Sequence, residues 1–171
     1  MEKEFQGRFP VVHPQARVAE TAVLVGDVQV DAKANIWYSA VLRGDAGAIR
    51  IGEETSIQDN VTCHCEPDQP LLVGKKVTVG HNAVIHGCTI EDRCLIGMGA
   101  ILLNGCVIGT GSIVGAGALV TQNTVIPPGS LALGSPARVV RALRPGEDAA
   151  LDDDAAEYQF LMGQLPEQGG A

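Results

Sequence analysis

The chain has 171 residues, a net charge of -8 and an aromatic content of only 4%. That length fits one domain with a sizeable core. The acidic balance, with no basic run to meet phosphates, argues against nucleic acid or an anionic membrane as a partner.

The first residues, MEKEFQGRF, contain no apolar signal stretch. No run reaches the roughly 18 residues needed to span a bilayer, so no membrane association is expected. Five cysteines form an odd set scattered mainly on repeat positions, unlike the dense framework of a small secreted domain. A cytoplasmic location is the default expectation.

From Val12 to Ile126 an aliphatic residue returns about every sixth position. Hexads start at Val12, Val18, Leu24, Val30, Ile36, Leu42, Ile51, Ile57, Cys63, Val73, Val79, Ile85, Ile90, Ile96, Leu102, Ile108, Val114, Val120 and Ile126. The fifth position is usually small, as at Ala22, Ala34, Ala40, Ala46, Ala83, Ala100 and Ala118. A short fixed period of this kind belongs to a parallel β-helix. Each hexad makes a short strand and a corner, and three hexads close a triangular coil. Coils then stack at roughly 4.8 Å with the aliphatic and small residues turned inward. The expectation is an all-β solenoid occupying residues 1–136.

The period breaks in three places. Three extra residues fall between Leu42 and Ile51, four fall between Cys63 and Val73, and the hexad at Ile85 is one residue short. The breaks lie among Arg43, Asp45, Gln58, Asp59, His64, His81 and His86, and a solenoid tolerates irregularity where it places its chemistry. After Ile126, PPGSLALGSPA reads as the exit from the coil. ARVVRALR and EDAALDDDAAEYQFLMGQL then look helical, giving an expected helical segment over 137–165 packed on the solenoid. In the second stretch Leu151, Ala155, Tyr158, Leu161 or Met162, and Leu165 make one apolar face, fit to cover open apolar coil edge. Residues 166–171 read as a flexible tail.

Hexad phase places the candidate site. Leu42, Cys63 and Ile85 start hexads on one face, so Arg43, His64 and His86 should stack in successive coils about 5 Å apart. Two imidazoles at that spacing can converge on one ion. His81 belongs to a different face, with Asp59 one coil below it. From there it is poorly aimed at an ion held by His64 and His86 of its own chain, but in a symmetric trimer a neighbour's face could supply it. Three neutral imidazoles with one open position are the ligand set of a hydrolytic or hydrating zinc, and iron or cobalt suits imidazole as well. A lone histidine is usually a solvated surface residue, and His13 is read that way. Three clustered at every repeat break are read as ligands.

Arg43 and Asp45, in LRGD, are candidates for an ion pair that holds coils or subunits together, for a catalytic role, or for both. Gln58 could hold the nucleophile by a hydrogen bond, a supporting task at the metal that Asp59 would share. Cys63 and Cys65 flank His64, but one points inward and the other diverges from the histidine, so neither is read as a ligand.

LRGD, IQDNVTCHCE, VGHNAVIHGCTIEDRCLIGMGAILLNGCVIG and GSPARVVRAL together resemble the γ-class carbonic anhydrase family of hexapeptide-repeat proteins. The resemblance covers nearly the whole chain in order. It implies a left-handed β-helix, a homotrimer, and one metal at each subunit interface held by His64 and His86 with His81 of the adjacent chain. It also implies that Arg43, Asp45, Gln58 and Asp59 serve the site and that CO₂ and bicarbonate are the substrates. Two departures stand out: Ala46 replaces a glutamate of well-characterised members, and the loop CEPDQPLL is short. That loop leaves Glu66, with Asp68, as the candidate proton shuttle. The competing readings are a trimeric metal-binding scaffold with little hydratase activity, and an acyltransferase or acyl-CoA thioesterase.

Overall fold

The computed structural model describes residues 1–164. Their core is a parallel β-solenoid whose hexad starts are the buried interior. Leu24, Leu42, Cys63, Ile85, Leu102 and Val120 form one in-register column, each fully buried. Val30, Ile51, Val73, Ile90, Ile108 and Ile126 form a second. Val18, Ile36, Ile57, Val79, Ile96 and Val114 form a third. Each column lines one face of the triangle. Burying one such aliphatic side chain stabilises by about 1.5–3 kcal/mol, which is why phase is held so strictly along the chain.

The corners follow a rule that the hydrophobic period does not display. The fourth hexad position adopts positive φ at Lys33, Ser39, Glu54, Asn60, Lys76, Asn82, Arg93 and Asn123, and at Gly99, Gly105, Gly111, Gly117 and Gly129. A left-handed residue turns the chain sharply enough for the next strand to start on the adjacent face.

The repeat breaks reshape one edge of the triangle. With three extra residues, Val41–Ile51 runs as one strand around the corner, pairing first with Val23–Val30 and Thr62–His64, then with Leu71–Val73. Two faces thereby join into one sheet. Ala46 lies in this corner and is exposed, not a small inward residue as its spacing predicts. The insertion after Cys65 is a tight turn in which Glu66 and Gln69 exchange backbone hydrogen bonds.

The segment beyond the coil corrects the sequence expectation. Ala137–Ala142 is a strand, not a helix, and pairs antiparallel with Ser130–Gly134 at the end of the third face. Gly134-Ser135-Pro136 supplies the turn, and the open end of the sheet offers ladder partners that a helix would waste. The solenoid sheet therefore extends past residue 136, and among the described residues only Glu147–Gly163 forms an α-helix. This helix buries Leu151, Ala155 and Met162, while Leu161 faces out. It lies on the third-face strands Asn35–Ile36, Ser56–Ile57 and Thr78–Val79. What it covers is polar, not the apolar edge expected: Asn35, Ser56 and Thr78 sit in register beneath it. Its first half is tied to the solenoid by Arg93–Asp152 and Arg141–Glu147. Leu165 and the expected tail at 166–171 lie outside the described residues.

Candidate metal centre

Arg43, His64 and His86 stand in register on adjacent strands of the first face, as hexad phase predicts. Strand alternation sends Leu42, Cys63 and Ile85 inward and turns these three outward. The two imidazoles meet edge to face with centroids 4.8 Å apart, and His64 Nδ1 lies 2.8 Å from His86 Nε2. Cys65 is fully buried beside Cys63, so both thiols belong to the core.

The other nitrogen of each ring is already engaged. His64 Nε2 is 2.9 Å from Asp45 Oδ1, and His86 Nδ1 is 2.7 Å from Asn104 Oδ1. Burial pushes the Asp45 carboxyl up, but hydrogen bonds from Arg43 and His64 and the Arg43 charge outweigh it and hold the group below its ordinary value. It is therefore a carboxylate and can only accept, so His64 carries its proton on Nε2. The Asn104 oxygen also accepts, so His86 carries its proton on Nδ1. The facing atoms, His64 Nδ1 and His86 Nε2, are then both lone pairs. Two lone pairs at 2.8 Å repel unless a cation lies between them, and this donor set fits a metal ion.

His81 occupies the corner leading out of the third face. Gly80 before it permits close stacking of the next coil, since a Cβ there would meet Met98 N at 2.8 Å. His81 Nδ1 stands 2.9 Å from Asp59 Oδ2 in an ion-pair contact, with Nε2 on the far side of the ring. Its backbone N–H donates to Gln58 Oε1 at 3.1 Å. Gln58 is buried, and with its oxygen anchored its NH₂ is the end available to donate. His81 makes no contact with His64 or His86 here, and among the described residues no three His, Cys, Asp or Glu side chains of one chain form a metal-binding group. The His81 side chain is 37% exposed against 15% for His64, as an outward-projecting corner residue should be.

The remaining candidates fall nearby. Arg43 pairs with Asp45 of its own chain through one guanidinium nitrogen. Asp45 Oδ1 also accepts the Ala46 N–H at 3.0 Å. Glu66 is exposed in its turn, two residues past His64. Two residues were not anticipated. Asn104 occupies the third position of the next hexad on the His86 face, a phase signal available in the sequence. Tyr158, on the C-terminal helix, packs edge-on against Trp37 at 5.8 Å. Burial, then the negative charges of Glu157, Asp154 and Asp59, push its hydroxyl up. Helix docking alone brings it against Trp37.

A probable carbonic anhydrase of Methanocaldococcus jannaschii is 49% identical over 91% of this chain and 98% of its own length. The chain belongs to the γ carbonic anhydrase family. The mitochondrial γ carbonic anhydrase 1 of Arabidopsis thaliana is 44% identical over 90% of the chain, which spans 58% of that longer protein. The description "Bacterial transferase hexapeptide (six repeats)" matches residues 87–122. Among solved structures, a putative acetyltransferase of Bacillus cereus superposes with a TM-score of 0.92 at 36% identity, covering 96% of this chain and 98% of its own. A hexapeptide transferase family protein of Anaplasma phagocytophilum gives 0.91 at 37% identity, with the same coverage. Membership in this γ carbonic anhydrase family and the solenoid fold thus agree with the residue pattern. Among the described residues no helix is long and apolar enough to cross a membrane.

Proposed function

We propose that the protein is a metal-dependent carbonic anhydrase that interconverts CO₂ and bicarbonate at the subunit interfaces of a homotrimer. One observation carries this reading. Each of three imidazoles has one ring nitrogen within 2.9 Å of a side-chain oxygen, and the other nitrogens of His64 and His86 face each other at 2.8 Å. His64 and His86 of one subunit would hold zinc, iron or cobalt together with His81 from the abutting corner of a neighbour. When bound, the metal supplies a nucleophile from water at neutral pH.

The rest of the chemistry belongs to the chain. Asp45 fixes the tautomer of His64, and Asp59 sets its carboxylate against His81. Gln58 orients the nucleophile through its NH₂, because His81 N–H anchors its oxygen. Val84 and Ile101 pair side by side on the first face and present uncharged surface suited to CO₂, while Arg43 offers a cation to the bicarbonate anion. Glu66 stands where a proton could pass to buffer. All five cysteines are free and buried, consistent with a cytoplasmic location.

A second reading, acyl transfer, is favoured by the names of the two solved relatives. It needs one histidine as base and gives no role to three that are each tied to an acceptor. A third, a metal-binding scaffold of low activity, is favoured by exposed Ala46 and the short Glu66 turn. Stopped-flow CO₂ hydration by the purified protein, loaded with each metal and then chelated, tests the proposal beside an acyl-CoA hydrolysis assay. Chelator-sensitive hydration is expected. Metal binding without hydration would favour the scaffold, and chelator-insensitive acyl-CoA turnover would favour acyl chemistry.

A further inference from the structure

His64 donates a ring proton to the Asp45 carboxylate and His81 stands 2.9 Å from that of Asp59, whereas His86 donates its own to a neutral amide oxygen, 2.7 Å away on Asn104. Asn104 follows the strand Ile101–Leu102, which pairs with Val84–His86 one coil before it. Its backbone is pinned from both sides. Asn123 N–H donates to Asn104 O at 3.0 Å, and Gly105 N–H donates to Gly87 O at 2.7 Å. The side-chain amide lies against Gly87, where an added Cβ would come within 3.4 Å of Asn104 Cγ. Gly87 directly follows His86 and adopts a positive φ of 53°, a left-handed turn suited to glycine.

We propose that Asn104 is a positioning residue of the metal centre: it takes the Nδ1 proton of His86, aims Nε2 at His64 Nδ1, and makes His86 the one ligand of the three with an uncharged partner. The inference rests on the metal-centre reading. An imidazole backed by a carboxylate is a stronger donor than one backed by an amide, so the centre holds its metal with graded ligands. His86 is the weak member. Asn104 therefore tunes affinity without touching the metal.

Two substitutions separate positioning from packing. Asn104→Asp keeps the acceptor and adds charge, while Asn104→Leu fills similar volume with no acceptor. Zinc and cobalt affinities are measured by competition with a chromophoric chelator, and ring tautomers by long-range ¹H–¹⁵N spectra of the metal-free protein. Asn104→Leu should weaken metal binding about 10–100-fold and move the His86 proton from Nδ1 to Nε2, with thermal unfolding of the metal-free protein unchanged. Asn104→Asp should bind at least as tightly as the parent and keep the Nδ1 proton. An unchanged His86 tautomer in Asn104→Leu overturns the proposal, as does parental metal affinity in that variant. If the parent itself binds neither metal, the metal-centre reading fails, and with it the graded-ligand role. The tautomer spectra would then still report whether Asn104 sets the ring.

Discussion

A His81→Ala chain and a His64→Ala/His86→Ala chain should each be nearly metal-free alone and should regain metal when refolded together. The structural basis is separation. His64 and His86 share one face in register, while His81 projects from another corner, tied to Asp59. If each centre forms between chains, an interface is sound only where a His81→Ala chain presents its histidine pair to the corner of the other chain. In a closed heterologous ring assembled at random from equal amounts, each mixed trimer has one such interface, so about one quarter of all interfaces are restored. Denaturing and refolding the mixture, isolating trimers by size exclusion and measuring metal by mass spectrometry reads this fraction directly. CO₂ hydration should return in the same proportion. If all three histidines acted within one chain, no mixing could rebuild a site. Mixed trimers that form and stay metal-free would refute the shared centre.

Three further outcomes are expected. Glu66→Gln should slow turnover in dilute buffer and be rescued by concentrated buffer, and an unchanged rate in dilute buffer would leave Glu66 without a shuttle role. Thr78 Oγ1 is buried under the helix without a hydrogen-bond partner, so Thr78→Val should be neutral or stabilise by about 1–2 kcal/mol in urea unfolding; a clear loss would show that the hydroxyl has a partner. Hydrogen bonds from Arg141 and the Arg144 backbone hold Glu147 down at about 2, so its stabilising share is present above the ordinary value of 4.5 and is lost as pH falls toward about 2. The emission of the single tryptophan, Trp37, which packs on Tyr158, should report the helix still docked at pH 4.5 in the parent. Undocking of the parent there would count against that anchor.

The hexad period by itself determined the interior. It is a count along the chain, and because every miscounted strand would turn its aliphatic residue to solvent, register follows from phase. That count put Arg43, His64 and His86 on one column and Asp59 one coil below His81, and it directed the search for a site to the repeat breaks. Tertiary structure decided what a count does not encode. Ala137–Ala142 became a strand because the open sheet beside Ser130–Gly134 needed ladder partners, a demand invisible in the local propensity of ARVVRA. Asn35, Ser56 and Thr78 came to lie under the helix, whose first half the Arg93 and Arg141 ion pairs hold against the solenoid. The hydrogen bonds that choose each histidine's lone pair depend on where side-chain tips end, within a few tenths of an ångström. Periodicity fixes which coil a residue joins, and only packed coordinates bring Asn104 to His86 and Tyr158 against Trp37.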